Sequence, residues 1–256
     1  PTYGKEIQTK EFGFGLEGVL ESHSDELSGI LNGLDYSVWN PASDKFIAAN
    51  FSAKDPSGKA ACKADLQKLC KFPVKKDIPV IGVVSRLAQQ KGFDIVSEAI
   101  DRMCKMNLQL VVLGTGDAQY HQVFESMARK YPKVVSLNIK FDDPLAHKIY
   151  AGADIFLMPS RYEPCGLGQM IGMKYGALPL VYKTGGLADT VDAGNGFVFD
   201  IYSPDEFLKA VKKALVLHKA PEKWQKLISR AMISDFSWQE SAKKYVQQYE
   251  KALKKQ

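Results

Sequence analysis

From Ile78 onward, short unbroken apolar runs alternate with amphipathic stretches, and no other feature of the sequence restricts the fold as much. The runs are Ile78 to Val84, Leu108 to Leu113, Val134 to Ile139, Asp154 to Met158 and Leu178 to Tyr182, with Gly196 to Phe199 as a sixth candidate. Most are continuous rather than alternating, which marks strands covered on both faces. Between them, Phe93, Val96, Ile100 and Met103 share one helical face, and Phe207, Leu208, Val211 and Leu215 share another. Strands that alternate with crossover helices predict an α/β chain built on a parallel sheet. Two helix starts are also legible. Ser203-Pro204-Asp205-Glu206, and Ser237 with Glu240, each place a capping serine three residues before a glutamate.

The 256 residues, 45% hydrophobic and 25% charged, suffice for one large domain with a well-buried core. Residues 1–30 read as a different unit, glycine-rich and without a strand-helix repeat. Residues 31–50 read as a hinge, because Leu31-Asn32-Gly33-Leu34-Asp35 and Trp39-Asn40-Pro41 combine turn formers with a proline stop. Residues 51–236 make the sheet domain. Residues 237–256 form a last helix with an apolar stripe of Trp238, Ala242, Tyr245, Val246, Tyr249 and Leu253. Pro1 opens into Thr2-Tyr3-Gly4-Lys5-Glu6 with no signal-like region, so the sequence reads as starting inside a longer protein. No apolar run approaches the ~20 residues that span a bilayer. The net charge of +5 is spread along the chain, apart from a lysine-rich end at Lys251, Lys254 and Lys255 that reads as a solvated helix terminus. Neither a membrane nor a nucleic acid is expected as a partner. Cys62, Cys70, Cys104 and Cys165 have neither zinc-site spacing nor the density of a disulfide scaffold, so a cytoplasmic setting is expected.

Three segments at strand ends are candidates for chemistry. Ser85-Arg86-Leu87-Ala88-Gln89-Gln90-Lys91-Gly92 follows a buried strand and leads into a helix, and in open parallel sheets ligands sit beyond the strand ends. Arg86 and Lys91 are either a two-sided grip on a diphosphate or two solvated cations, and the residues alone leave both open. In Pro159-Ser160-Arg161-Tyr162-Glu163-Pro164-Cys165-Gly166-Leu167-Gly168-Gln169, Glu163 precedes a proline expected in the first helical turn. An acidic acceptor beside the free N–H groups of Cys165, Gly166 and Leu167 suits a sugar's hydroxyls; the plainer reading is a helix-start charge. Thr184-Gly185-Gly186-Leu187-Ala188-Asp189-Thr190 is a turn that either admits a ligand to the backbone or is merely tight.

Other candidates fall away. Leu113-Gly114-Thr115-Gly116-Asp117 is followed at position 119 by Gln119, so the dinucleotide fingerprint fails and NAD is not expected. Cys62, Leu66, Leu69 and Cys70 form one helical stripe and read as core. His23, His121, His147 and His218 lack the spacing of a zinc site, with His147 read as structural or facing the crevice. Asp142-Asp143 reads as a turn pair, so no metal or other cofactor is expected.

Taken together, S-R-L-x-x-Q-K-G, S-R-Y-E-P-C-G-L-x-Q and T-G-G-L-A-D-T-V, in this order and spacing, resemble the ADP-glucose-dependent bacterial glycogen synthases and plant starch synthases. The resemblance covers nearly the whole chain, since Pro1 to Ile7 is similar to the last stretch of that family's first lobe and Ile30 to Asp35 to its hinge. It implies a GT-B fold of two Rossmann-like lobes, of which this chain supplies the carboxy-terminal one. It also implies transfer of glucose from ADP-glucose, a substrate and not a cofactor, to the non-reducing end of an α-1,4-glucan with retained configuration. A plant or algal member would work in the plastid.

Residue by residue, the resemblance makes Arg86 and Lys91 the diphosphate pair and Glu163 the carboxylate beside the donor glucose. The backbone of Cys165, Gly166, Leu167 and Gly168 would hold the sugar and distal phosphate, Asn32 would lie near the sugar, and Phe141 would stand where the family usually stacks a tyrosine on adenine. Gly168 departs from the family's frequent threonine. The first lobe's lysine loop and histidine are not in this chain, so the missing amino-terminal lobe is an expected partner. Sucrose or trehalose-phosphate type transferases, which commonly carry a second glutamate eight positions after the first, have Ile171 against them. A non-catalytic nucleotide-binding fragment is the other alternative.

Overall fold

The computed structural model describes residues 1–254, so Lys255 of the lysine-rich end lies outside the described residues. Strands β1 (Val80–Val84), β2 (Gln109–Leu113), β3 (Val135–Asn138), β4 (Ile155–Met158), β5 (Leu178–Tyr182) and β6 (Phe197–Phe199) form one parallel sheet in the order β3-β2-β1-β4-β5-β6. All six runs read from the sequence are strands. β1 starts two residues later than its apolar run because Pro79 has no N–H to give a ladder. The register sets Ile81 beside Leu110 on one side and Ile155 on the other.

Helices α1 (Thr2–Glu6) and α2 (Glu17–Ser22) lie in the leading segment, and α3 (Gly58–Leu69) precedes the sheet. The crossovers are α4 (Phe93–Cys104), α5 (Ala118–Lys130), α6 (Asp143–Gly152), α7 (Gly168–Lys174) and α8 (Gly185–Thr190). The chain closes with α9 (Pro204–His218), α10 (Pro221–Ile233) and α11 (Trp238–Leu253). Phe93, Val96, Ile100 and Met103 are buried on α4, as their spacing predicts, and Phe207, Leu208 and Val211 are buried on α9. Cys62 and Leu66 are core, but Leu69 is 54% exposed at the end of α3, so the expected stripe stops one turn early. The capping boxes are one-sided. Ser203 Oγ accepts from Glu206 N at 3.3 Å and Ser237 Oγ from Glu240 N at 3.4 Å. The two glutamates pair instead with Lys209 and Lys243, three residues on.

Two contacts place the outer segments. Residues 31–50, read as a hinge, form no strand or helix, yet Leu34 is core and pairs with Ser237 through Leu34 N to Phe236 O (2.6 Å) and Trp238 N to Leu34 O (3.3 Å). In α11 only Ser241 is buried, its hydroxyl donating to Leu31 O, while Trp238, Val246, Tyr249 and Leu253 are exposed. Among the described residues, no helix is long and apolar enough to cross a membrane.

Candidate functional site

The strand order reverses between β1 and β4, and in a doubly wound sheet the crevice beyond the strand ends at that reversal is the natural ligand site. The loop after β1 carries Arg86 and Lys91, and the loop after β4 carries Glu163. Lys91 and the acid therefore meet although they are far apart in the chain, and Arg86 stands on the same β1 loop. Lys91 Nζ lies 2.6 Å from Glu163 Oε2, which also accepts from Ser160 Oγ at 3.1 Å. Glu163 is 6% exposed, and no hydrogen bond reaches its Oε1 among the described residues.

Gln90 joins the two loops. Its Oε1 accepts from Arg86 Nη2 at 3.2 Å, its Nε2 donates to Tyr162 O at 3.3 Å, and its carbonyl accepts from Arg161 N at 2.9 Å. Gly92 ends the short 3-10 turn Gln89–Lys91 with φ +81, and a Cβ there would sit 2.1 Å from Pro159 O. Only glycine lets the two loops come this close.

Arg86 is exposed at the edge of a cavity of about 430 Å³ lined also by Trp39, Thr115, Phe141, Asp143 and Tyr150. Phe141 stands on its rim, 94% exposed, so its ring is free to stack. Asp142 and Asp143 are a helix start and not the turn pair expected: Asp142 caps α6 by accepting from Leu145 N at 2.9 Å, and Asp143 is its first residue.

The loop after Glu163 corrects one expectation. Pro164 is not in the first turn of a helix; α7 begins at Gly168, because Gly166 takes φ +73 and interrupts any earlier helix. Cys165, Gly166 and Leu167 are thus a bent loop leading into the helix. Asn32 reaches this loop, its backbone N–H donating to Cys165 Sγ at 3.3 Å, with its residue exposed. Burial pushes the Cys165 thiol up from its ordinary value, so it stays protonated near neutral pH. Gly168 is backed by the Phe156 ring, which a Cβ would meet at 2.9 Å.

The Thr184-Gly185-Gly186 turn also differs from the ligand-facing reading. Glu6 fills it, accepting from Gly185 N at 2.9 Å and from Thr184 Oγ1 at 3.1 Å. Its glycines serve backbone packing, since a Cβ on Gly185 would lie 2.0 Å from Glu163 O and one on Gly186 2.0 Å from Cys165 O.

Three side chains support the site from behind, and of these the structural role of His147 was legible in the sequence. Gln169, fully buried, donates from Nε2 to Cys165 O at 3.1 Å and Gly166 O at 3.0 Å, and so shapes the loop from behind. His147 is structural: Nδ1 lies 2.6 Å from Asp44 Oδ2, which also takes the Tyr175 hydroxyl at 2.6 Å, and the imidazole stacks on Trp39 at 4.2 Å. Trp39 is thereby fixed as a wall of the cavity. Burial, then Asp44, holds the Tyr175 hydroxyl far above its usual range. Lys59 Nζ donates to Ala151 O, Ala153 O and Tyr175 O at 3.1, 3.0 and 2.8 Å, placing one cation at the carboxyl ends of both α6 and α7. Its burial lowers the amine to about 8.

Residues 68–230 match the model of the glycosyl transferases group 1. The chain is 50% identical over 260 residues to the glycogen synthase of Kosmotoga olearia, covering 99% of this chain and 54% of that protein. It is likewise 50% identical over 263 residues to the glycogen synthase of Thermotoga maritima, covering 100% and 54%. The chain spans about half the length of the curated relatives it matches. Among solved structures, the catalytic domain of starch synthase IV from Arabidopsis thaliana bound to ADP and acarbose superposes with a TM-score of 0.92 at 38% identity. That match covers 99% of this chain and 55% of the other.

Proposed function

Because the chain belongs to the glycosyl transferases group 1, we propose that it is the donor-binding half of a retaining glucosyltransferase of the glycogen and starch synthase type. In this reading it works in the cytoplasm or a plastid, on ADP-glucose and an α-1,4-glucan, as the carboxy-terminal lobe of a GT-B fold. One observation carries the proposal: Lys91 bonded to Glu163 at the reversal of the sheet, with Arg86 at the edge of a cavity that ends in the exposed Phe141 ring. The glycogen synthases at 50% identity and the starch synthase structure that holds ADP support it.

Adenine would stack on Phe141, and the diphosphate would lie between Arg86 and Lys91. An ammonium has three donors, so Lys91 can keep Glu163 and still reach phosphate. Glu163 Oε1 and the backbone of Cys165 to Gly168 would orient the glucose. As the glucose–phosphate bond breaks, the two cations meet the charge growing on ADP while the acid supports an oxocarbenium-like sugar. The acceptor hydroxyl attacks the same face and passes its proton to the departing phosphate. The mechanism uses no metal or other cofactor. Glu163 as a covalent nucleophile is the lesser reading, and a trapped glucosyl-Glu163 adduct would reverse that order.

Calorimetry tests the donor: ADP should bind this chain more tightly than UDP, and the opposite preference overturns the assignment. In a protein that includes the other lobe, Arg86→Ala and Lys91→Ala should each lower turnover about a hundredfold. Near-normal rates would end the mechanism. Since residues 1–254 hold only the motifs of one lobe, the 256-residue chain is proposed to bind ADP without elongating glucan, and glucan synthesis by it alone refutes that division.

A further inference from the structure

Beside the Glu163 loop, away from the adenine end, lies a second concavity of about 290 Å³ lined by Glu11, Phe12, Phe14, Gln89, Arg161 and Tyr162. We propose that it is a subsite for the α-glucan chain. This rests on the glucosyltransferase reading above and adds to it the surface along which the acceptor lies.

Three observations carry the inference. Phe14 is 71% exposed, and it takes φ 51, the left-handed region that residues other than glycine rarely adopt. Gly15 follows at φ 88, so a strained turn presents an aromatic ring that stays largely exposed. Next, the Phe14 and Phe12 rings pack at 5.7 and 6.3 Å from Tyr162, making an aromatic wall on the residue next to Glu163. Finally, the side chains of Glu11, Gln89 and Arg161 border this wall, and none makes a side-chain hydrogen bond among the described residues; Arg161 lies over the Tyr202 ring. An apolar wall with a few converging polar groups is how a protein site takes a ligand that is itself two-faced. A glucan fits that description: each glucose offers a C–H face to an aromatic ring and a rim of hydroxyls to a carboxylate, an amide and a guanidinium. Gln90, which bonds Arg86 and Tyr162 O, links this surface to the donor residues.

The test is electrophoresis of the 256-residue chain in native gels with and without glycogen, with maltoheptaose titration for affinity and ADP calorimetry on the same samples. The wild-type chain should be retarded by glycogen. Phe14→Ala should weaken maltoheptaose binding about fivefold, Phe14→Trp should restore it, and Gln89→Ala should weaken it further when combined with Phe14→Ala. ADP affinity of the Phe14 variants should not change, since Phe14 lies outside the donor cavity and the β1 loop. A chain that binds ADP but ignores glycogen overturns the subsite and leaves the donor reading standing. Retardation unaffected by Phe14→Ala and Gln89→Ala also overturns it, because glucan then binds elsewhere. Loss of ADP binding with glycogen retardation intact would overturn the donor reading alone.

Discussion

Lys91 and Glu163 are 72 positions apart and in direct contact, ammonium to carboxylate at 2.6 Å. The acid is nearly sealed from water while the lysine is about a fifth exposed, so the pair is unequal: removing the cation strands the more deeply buried charge, whereas removing the acid leaves an amine that keeps some access to water.

Lys91→Ala should therefore destabilise the fold by about 2 kcal/mol, the cost of leaving a charged group without its partner, and Glu163→Gln by clearly less. Urea unfolding of both variants checks the order; equal losses would show that the pair contributes symmetrically.

Phe141→Ala should leave the melting temperature unchanged, because the ring is 94% exposed, while weakening ADP about five- to tenfold. Phe141→Tyr should bind as well as the wild type. A Phe141→Ala chain with normal ADP affinity would remove the ring from the site.

Gly186→Ala puts a methyl 2.0 Å from Cys165 O and must push the Cys165–Gly168 loop outward. Destabilisation of about 1–3 kcal/mol is expected from such overpacking, and glucose-dependent contacts should suffer more than those to adenosine. Comparing ADP-glucose with AMP binding in this variant reads out the difference.

Lys59 carries a pH signature. Its folded amine titrates near 8, below the ~10.4 of a free lysine, so between these values the unfolded chain holds more protons than the folded one. The penalty for burying the charge is full below pH 8 and is relieved as pH rises. Unfolding free energy of the wild type relative to Lys59→Met should thus increase by about 1–2 kcal/mol from pH 7 to 9.5. A flat difference would mean that the ammonium is not desolvated.

Glu6→Ala removes the acceptor from Gly185 N and the Thr184 hydroxyl, contacts that resemble a helix cap. A loss of about 1 kcal/mol is expected, together with faster proteolysis within residues 1–30. Unchanged digestion would mean that this segment is held by other contacts.

What the sequence made legible follows from the range of each interaction. Strands sealed on both faces announce themselves locally, as Leu178 to Tyr182 does, and their loops carried Arg86, Lys91 and Glu163 to the end of one sheet. Glycine was ambiguous for a physical reason. Gly185 and Gly186 allow close approach, but whether ligand or backbone comes close depends on Glu163 and Cys165, some twenty residues away. The start of α7 was misplaced because Pro164 favours a helical first turn, and the left-handed Gly166 two residues later overrides it. Asp44 with His147 and Tyr175, and Glu6 with Gly185, are bonds across 103, 131 and 179 positions that no local pattern encodes.

The backbone enters the sheet domain at Leu34 and leaves it at Ser237, and those two residues are bridged. Residues before that bridge are held to the same body at further points, by Glu6 on Gly185 and by Thr2 on Asp189. Asn32, two residues before the bridge, rests its amide on Cys165, so the crossing that closes the body also touches the loop that holds Glu163.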